Sequence, residues 1–249
     1  MADETEQQNP YMRRGFITAA ILVAVLIIVG AVVIFNGLAK SDDPSTDSNP
    51  TPQVSTSATP SASSAVAGGA SVCGLKTVKM DGKLNAAPEA EWRYVGAVTY
   101  PGSSTNGPAD KTADGFSMCF ERTPSGAVFA AAAGMAQLTA PETKLAATKN
   151  GLMPGALRDA GIEALTANPP TESGANRQTY SGFKLLSYDG NEAVVDLGIT
   201  TVANGKSVYA SILVPLIWHE GDWKMNFDKS NLKESVQLPN LAGYALWKE

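Results

Sequence analysis

The chain has 249 residues, 19 of them basic and 24 acidic, and a formal net charge of −5. This length leaves room for one sizeable domain with accessory segments. Beyond the first seventy residues, 16 basic and 18 acidic side chains remain, and no run of basic residues occurs among them. This near-neutral balance argues against direct binding of nucleic acid, which depends on neutralising phosphates.

An uncharged apolar run fills Gly15–Phe35, directly after the pair Arg13 and Arg14. About twenty apolar residues in a helix, at ~1.5 Å each, cross a hydrocarbon core of about 30 Å. We therefore predict a single transmembrane helix over residues 15–38. The paired arginines favour a cytoplasmic location for residues 1–14, so the rest of the chain is expected to be extracytoplasmic.

A second interpretation of the same stretch remains open. The sequence RRGFI resembles a twin-arginine export signal, and Gly37-Leu38-Ala39 has the small-x-small pattern of a cleavage site. However, the apolar run is longer than the ~7–15 residues of an ordinary signal-peptide core. The length favours a retained signal-anchor, and both interpretations export the remainder of the chain.

Residues 39–70 are rich in Ser, Thr and Pro and contain no aromatic residue. Such a segment cannot bury enough apolar surface to order itself. We predict a disordered linker here, which separates the membrane from a folded extracytoplasmic domain over residues 71–249.

The chain contains two cysteines, Cys73 and Cys119. In a cytosolic protein they would be interpreted as free thiols. Outside the cytoplasm a disulfide is favoured, and with no other cysteine to compete we predict a Cys73–Cys119 bridge.

A helix-start signal precedes the most helix-prone part of this domain. Thr123 can cap the helix, and Pro124 follows at the first helical position, where a missing N–H has no cost. The predicted helix Pro124–Leu138 consists almost entirely of small and apolar residues, so we expect it to be buried on most sides.

Two further helices are predicted from helix-start and helix-stop signals. The first begins at Pro141-Glu142 and ends near Asn150-Gly151. The second begins at Pro154 and ends before Asn168-Pro169-Pro170. Its predicted inward residues are Leu157, Gly161, Ala164 and Leu165.

Strands are predicted on both sides of the helices. Upstream they are Leu75–Met80, Trp92–Tyr100 and Phe116–Arg122. Downstream the hydrophobic period changes to two, which predicts a four-strand antiparallel meander of Tyr180–Tyr188, Glu192–Val202, Ser207–Trp218 and Trp223–Phe227. Pro215 should mark an edge or a bulge, and the tail Leu232–Glu249 should cover an edge.

These elements predict an α+β fold, with about three helices packed on a curved antiparallel sheet.

Few residues suggest chemistry. The one histidine, His219, lies on a predicted turn, and one histidine with two cysteines does not make an ordinary zinc site. The sequence contains no nucleophile elbow, phosphate-binding loop or dinucleotide fingerprint. Arg122 is expected either to bind an anion at the helix start or to pair with Glu121 or another acid.

The four tryptophans, Trp92, Trp218, Trp223 and Trp247, either line a ligand cavity or pack in the core and at its rim, and the second interpretation is favoured. We predict no catalytic, cofactor-binding or metal-binding residue, and no enzyme activity.

Helices followed by a curved meander resemble the nuclear-transport-factor-two-like cone, and WHEGDWKMNF at Trp218–Phe227 looks like the last hairpin of that superfamily. More closely, the chain resembles a family of actinobacterial single-pass membrane proteins found in conjugative elements. The segments that carry this likeness are Trp92–Gly96, Gly115–Phe120, Arg122–Gln137, Gly182–Asp189 and Gly221–Lys224. The region 71–120, with its cysteines, is additional to a minimal cone.

Similar single-pass cone proteins serve as assembly factors of type IV secretion machines. The resemblance therefore implies a membrane-anchored scaffold of a conjugative DNA-transfer apparatus, with envelope or transfer proteins as partners and possible homo-oligomers. The alternative is an extracytoplasmic binding module whose cone pocket holds a small apolar ligand or a cell-wall fragment.

Overall fold

The structure is a computed structural model that describes residues 71–171, 177–227 and 235–248. The predicted cytoplasmic segment, transmembrane helix and linker, at residues 1–14, 15–38 and 39–70, lie outside the described residues. Within the described ranges, no helix is long and apolar enough to cross a membrane.

The described part of the chain contains three helices and ten strands. The helices are α1 (Pro124–Thr139), α2 (Lys144–Gly151) and α3 (Ala156–Ala167). The first four strands are β1 (Glu91–Val95), β2 (Val98–Gly102), β3 (Asp110–Lys111) and β4 (Ser117–Met118). The others are β5 (Gln178–Tyr188), β6 (Glu192–Ala203), β7 (Lys206–His219), β8 (Asp222–Met225), β9 (Val236–Leu238) and β10 (Ala245–Leu246).

One eight-stranded sheet dominates the fold, in the order β1-β2-β5-β6-β7-β8, with β10 beside β5 and β9 beside β7. The predicted α+β class, with three helices on a curved sheet, is confirmed. The prediction of a purely antiparallel sheet is wrong, because β2 pairs with β5 in parallel. Gly96, with a φ of 52°, turns the predicted single strand Trp92–Tyr100 into the hairpin β1–β2, whose second arm joins the edge of β5.

Helix α1 lies at the centre of the core. The hydroxyl of Thr123 accepts a hydrogen bond of 3.0 Å from the N–H of Gly126 and caps the helix, as its sequence predicts. Its alanines are buried, and their small size lets the helix approach the sheet closely. At Gly134, a Cβ would lie 2.9 Å from the terminal methyl of Met225, so an added methyl would make the Met225 side chain shift.

On the face of the sheet that packs against α1, buried residues recur at every second position, as the predicted period of two requires. Val195 and Leu197 of β6 are completely buried, and so is Val214 of β7. On β8, Trp223 and Met225 are 4% and 2% exposed, as their alternation predicts. Burial of these apolar side chains is the main stabilising contribution that the sheet makes to the fold.

Helix α3 packs on another helix and not on the sheet. None of its residues is fully buried, and the four predicted to face inward, Leu157, Gly161, Ala164 and Leu165, are partly buried. The reason is its position, since α3 contacts α2 rather than the sheet. It therefore covers another helix and keeps much of its own surface in solvent.

Two upstream strands are also shorter than predicted. In place of Leu75–Met80 there is one isolated bridge, between Val78 and Arg122. In place of Phe116–Arg122 only β4 forms, because Cys119 adopts a left-handed φ of 75° that ends the extended run.

The C-terminal strap, which we define as residues 236–247, wraps around the sheet. It begins as β9 beside β7 and ends as β10 beside β5, so it crosses β6. At Gly198 of β6, a Cβ would lie 2.9 Å from Leu241 and 3.1 Å from Tyr244. A side chain at this position would make Leu241 and Tyr244 shift, so glycine suits the close approach of the strap. The pairing of β9 with β7 and of β10 with β5 covers edges of these strands, as predicted for the tail.

Trp247 anchors the end of the strap on the α1 side of the sheet. Its ring centroid lies 4.8 Å from that of Phe183 and 6.1 Å from that of Phe129, and the residue is 4% exposed. Offset or tilted aromatic pairs at such distances add to the stabilisation that burial itself provides.

We predict that Trp247→Ala lowers the free energy of unfolding by about 3–5 kcal/mol, because it removes a large buried side chain and leaves a cavity. Urea denaturation followed by tryptophan fluorescence measures this loss. Leu246→Ala is the matched control, since Leu246 is 51% exposed and its loss should stay within about 0.5 kcal/mol. Equal effects of the two substitutions would contradict the anchoring role of Trp247.

Candidate functional site

Cys73 and Cys119 form a disulfide in the structure, with their Cα atoms 5.9 Å apart. The bridge joins the start of the described domain to the residue that follows β4. Asp110 lies beside the two sulfur atoms, with all three possible ligand atoms within 4.8 Å. Because both sulfurs are used in the bridge, this cluster lacks the thiolates that a metal would need.

Asp222 holds the same region from the other side. Its carboxylate accepts backbone N–H bonds from Cys119 at 2.8 Å, from Phe120 at 3.0 Å and from Trp223 at 2.9 Å. Burial raises the pKa of the Asp222 carboxyl above its usual value, while the backbone N–H donors act in the opposite direction. This side chain connects β8 to the left-handed turn at Cys119.

The role of Asp222 was not predicted from the sequence, in which this residue belongs only to a predicted turn. No local pattern signals its role, because two of its partners lie about a hundred residues upstream.

Arg122 is 1% exposed and binds the β5–β6 turn. Its Nε donates to the carbonyl of Gly190 at 2.7 Å, and its Nη2 donates to Oδ1 of Asn191 at 2.6 Å. Its guanidinium also lies 5.2 Å from the ring centroid of Trp218. The guanidinium thus faces the β5–β6 turn, where burial lowers the pKa of Arg122 and the charges of Tyr188 and Asp189 act in the opposite direction. Its predicted binding of an anion, or pairing with Glu121 or another acid, stays a prediction.

His219 ends β7 and is half-buried, with Nε2 3.7 Å from Oε1 of Glu220. It lines a polar surface cleft of about 120 Å³ together with Lys149, Arg158 and Lys224. Two of the three cations of this cleft have partners of their own: Lys224 Nζ donates to the carbonyl of Asn150 at 2.7 Å, and Arg158 pairs with Asp159 at 3.3 Å.

The tryptophans serve the core and its rim, as the favoured interpretation predicts. Trp218, Trp223 and Trp247 are each 4% exposed. Trp92 packs at the edge of the core, and its Nε1 donates to the carbonyl of Lys248 at 3.1 Å.

A second surface cavity, of about 160 Å³, lies at the start of α1. We call it the α1 cavity. Its walls are the segment 77–84 on one side and Asn106, Glu121 and residues 123–125 on the other. No sequence motif marks this place, because its two walls come together through long-range contacts such as the Val78–Arg122 bridge.

A protein family described as Domain of unknown function (DUF8175) matches residues 52–246. The chain belongs to this family. The match begins inside the predicted linker and covers nearly all of the described DUF8175 domain. No curated protein and no solved structure matches the chain.

Asp222 of the DUF8175 domain accepts three backbone N–H bonds, and its substitution gives a direct test of their contribution. We predict that Asp222→Asn lowers the free energy of unfolding by about 1–3 kcal/mol, because the amide leaves at least one buried N–H donor without an acceptor. Chemical denaturation measures the change. Asp110→Asn is the control, since Asp110 is exposed beside the bridge. If Asp222→Asn changed the free energy of unfolding no more than Asp110→Asn, the role of Asp222 in connecting β8 to the turn at Cys119 would be contradicted.

Proposed function

We propose that this chain is a membrane-anchored extracytoplasmic scaffold or assembly subunit, with the DUF8175 domain outside the cell membrane. The apolar run Gly15–Phe35 and the preceding arginines support the anchor and its orientation. The Cys73–Cys119 bridge supports an oxidising location, because disulfides are rare in the cytosol.

The single observation that carries the scaffold role is the filled inner face of the sheet. Helix α1 packs on this face, with Ala131, Ala132 and Ala133 completely buried, and Trp247 is buried beside it. A ligand site inside a fold usually needs roughly 300–1,000 Å³ of open space. The surface of the domain is thus favoured for recognition, as a scaffold requires, over an internal pocket for an apolar ligand or a cell-wall fragment.

The exterior has features suited to protein partners. Strand β1 stands at one end of the sheet, and Tyr94 on this strand is 73% exposed. Exposed tyrosines are common in protein interfaces because they bury a large rigid surface and keep a polar end.

The finer proposal is that the apparatus is a conjugative, type IV secretion-like machine and that the domain is a variant of the nuclear-transport-factor-two-like cone. The support is the resemblance of Arg122–Gln137 and of the hairpin at Trp218–Phe227. The partners would be other envelope or transfer proteins, or further copies of the chain. The role proposed is not enzymatic and does not involve direct contact with DNA.

An extracytoplasmic location predicts that Cys73 and Cys119 are oxidised to a disulfide. In cells that produce the full chain, the peptides containing Cys73 and Cys119 should be linked when the protein is digested without reductant and examined by mass spectrometry. Quantitative alkylation of both thiols before reduction would contradict the extracytoplasmic location.

The scaffold role predicts that tethering is essential. Replacing residues 1–40 with a cleavable secretion signal should abolish transfer of the host element between cells, although the domain is still exported. The reason is effective concentration, because a tether keeps the domain near its membrane partners and release dilutes it. Conjugation frequency is the measurement, and export is verified by immunoblotting.

The control for this test fuses residues 39–249 to an unrelated single-pass anchor of the same orientation, which should restore transfer. Normal transfer with the released domain would contradict the scaffold role. Normal transfer after deletion of the whole gene would contradict the assignment to conjugation.

A further inference from the structure

The outer edge of β1 (Glu91–Val95) is an open edge of the main sheet. This strand pairs with β2, and among residues 71–171, 177–227 and 235–248 no other strand lies beside it. The opposite edge of the sheet differs, because β8 is bridged to Leu152, and Met153 donates its N–H to the carbonyl of Met225 at 2.9 Å. The main-chain groups of an open edge form a template on which another strand can pair.

The register of the β1–β2 hairpin shows which main-chain groups face the open edge. A two-residue turn follows Val95, and a turn of this length closes on a hydrogen-bonded pair of residues. Hydrogen-bonded and non-hydrogen-bonded positions alternate along an antiparallel pair, so Val95, Arg93 and Glu91 bond to β2. The N–H and C=O groups of Trp92 and Tyr94 therefore point away from β2, towards the open edge.

The side chains of β1 alternate between the two faces of the sheet. Glu91 and Arg93 share one face, where Nη2 of Arg93 lies 3.9 Å from Oε2 of Glu91. Trp92 and the largely exposed Tyr94 share the other face. The open edge thus carries one acidic and one basic side chain on one face and two aromatic side chains on the other.

A second copy of β1 matches this edge in one antiparallel register. When Trp92 of one copy lies opposite Trp92 of the other, their outward main-chain groups face each other, and Glu91 of each copy lies opposite Arg93 of the other. Opposite charges in directly opposed positions stabilise a strand pair, whereas like charges destabilise it. The two neighbouring registers that also bring outward groups together would place Glu91 opposite Glu91 or Arg93 opposite Arg93.

We propose that two copies of this chain form a symmetric dimer through antiparallel pairing of their β1 strands, centred on Trp92. The main sheet then continues from one copy into the other. Because the two-fold symmetry places the same edge of both copies in the contact, the assembly closes at two. The charges on one face fix the register, and the aromatic side chains on the other face pack across the contact.

The contact between two five-residue strands is small for a stable interface, and the anchor compensates for this. Tethering to one membrane raises the effective concentration of the two domains. A flexible linker of about thirty residues has a mean span of roughly 30 Å, which lets two anchored copies turn towards each other. The pairing deepens the proposed scaffold role by naming the surface on which copies meet, and it rests on that role for the tether.

Exchange of charges between copies tests the pairing. The dimerisation constant of the full-length chain is measured by sedimentation equilibrium in density-matched detergent. Glu91→Arg alone and Arg93→Glu alone each place like charges opposite each other, so each should weaken dimerisation by about tenfold or more. In an equimolar mixture of the two variants, a mixed dimer has opposite charges at both positions, and its dimerisation constant should return to within about threefold of the unchanged chain.

The mixture separates pairing from damage within one copy. Each single variant keeps its two like charges in its own chain, so only a contact between copies can rescue dimerisation on mixing. Glu163→Arg on α3 is the control, because Glu163 is exposed and far from β1 in the chain, and it should dimerise like the unchanged chain.

A second pair of variants tests the main-chain bonds. Tyr94→Pro removes an outward N–H and leaves the bonds to β2 in place, a substitution that edge strands tolerate. It should abolish dimerisation with little change in the midpoint of thermal unfolding. Tyr94→Thr removes the same ring but keeps the N–H, so it should retain a measurable dimer.

Four results would overturn the proposal. They are a full-length chain that stays monomeric at every concentration, dimerisation that Glu91→Arg leaves unchanged, a mixture no better than its separate variants, or equal dimerisation by Tyr94→Pro and Tyr94→Thr. These variants keep the anchor, whereas the tethering test keeps β1 unchanged. Failure of the pairing is therefore distinguishable from failure of the scaffold role.

Discussion

The five residues from Cys119 to Thr123, which we call the junction, connect almost every part of the described fold. Cys119 is bridged to Cys73, and its N–H is held by Asp222 of β8. Arg122 binds the β5–β6 turn, and Thr123 caps α1. The junction thus holds the N-terminal segment, β8 and the β5–β6 turn next to the central helix. Because these contacts join segments far apart in sequence, loss of one would loosen several elements at once.

The sequence predicts the elements whose signals are local. Helix α1 begins at the predicted Pro124 and ends one residue after the predicted Leu138, because its cap and its small apolar residues are contiguous. Long-range features escaped prediction: the parallel pairing of β2 with β5 depends on residues about eighty positions apart, and the left-handed Cys119 depends on Asp222. The exposure of α3 depends on where its neighbour α2 packs.

Among the candidate sites, too, those with a local sequence signal could be predicted and those built by long-range contacts could not. The disulfide was predictable because two cysteines allow one intramolecular pairing. The α1 cavity was not, because one of its walls, the segment 77–84, has the composition of an ordinary strand or loop. What positions this wall is a single bridge from Val78 to Arg122 and a hydrogen bond from the Tyr188 hydroxyl to the carbonyl of Lys79.

Two buried charges at the junction show how the fold supplies partners to a buried ion. Asp222 is 2% exposed and accepts three backbone N–H bonds, and Arg122 is 1% exposed and binds a carbonyl, an amide and an aromatic ring. These partners come mostly from segments far away in the sequence. Asp222 on β8 holds the N–H groups at the start of the junction, and Arg122 inside the junction holds the β5–β6 turn. Loss of either contact would leave a buried charge short of a partner, which costs more than the contact itself contributes. The position of the β5–β6 turn and of β8 relative to the central helix therefore depends on charge burial as well as on apolar packing.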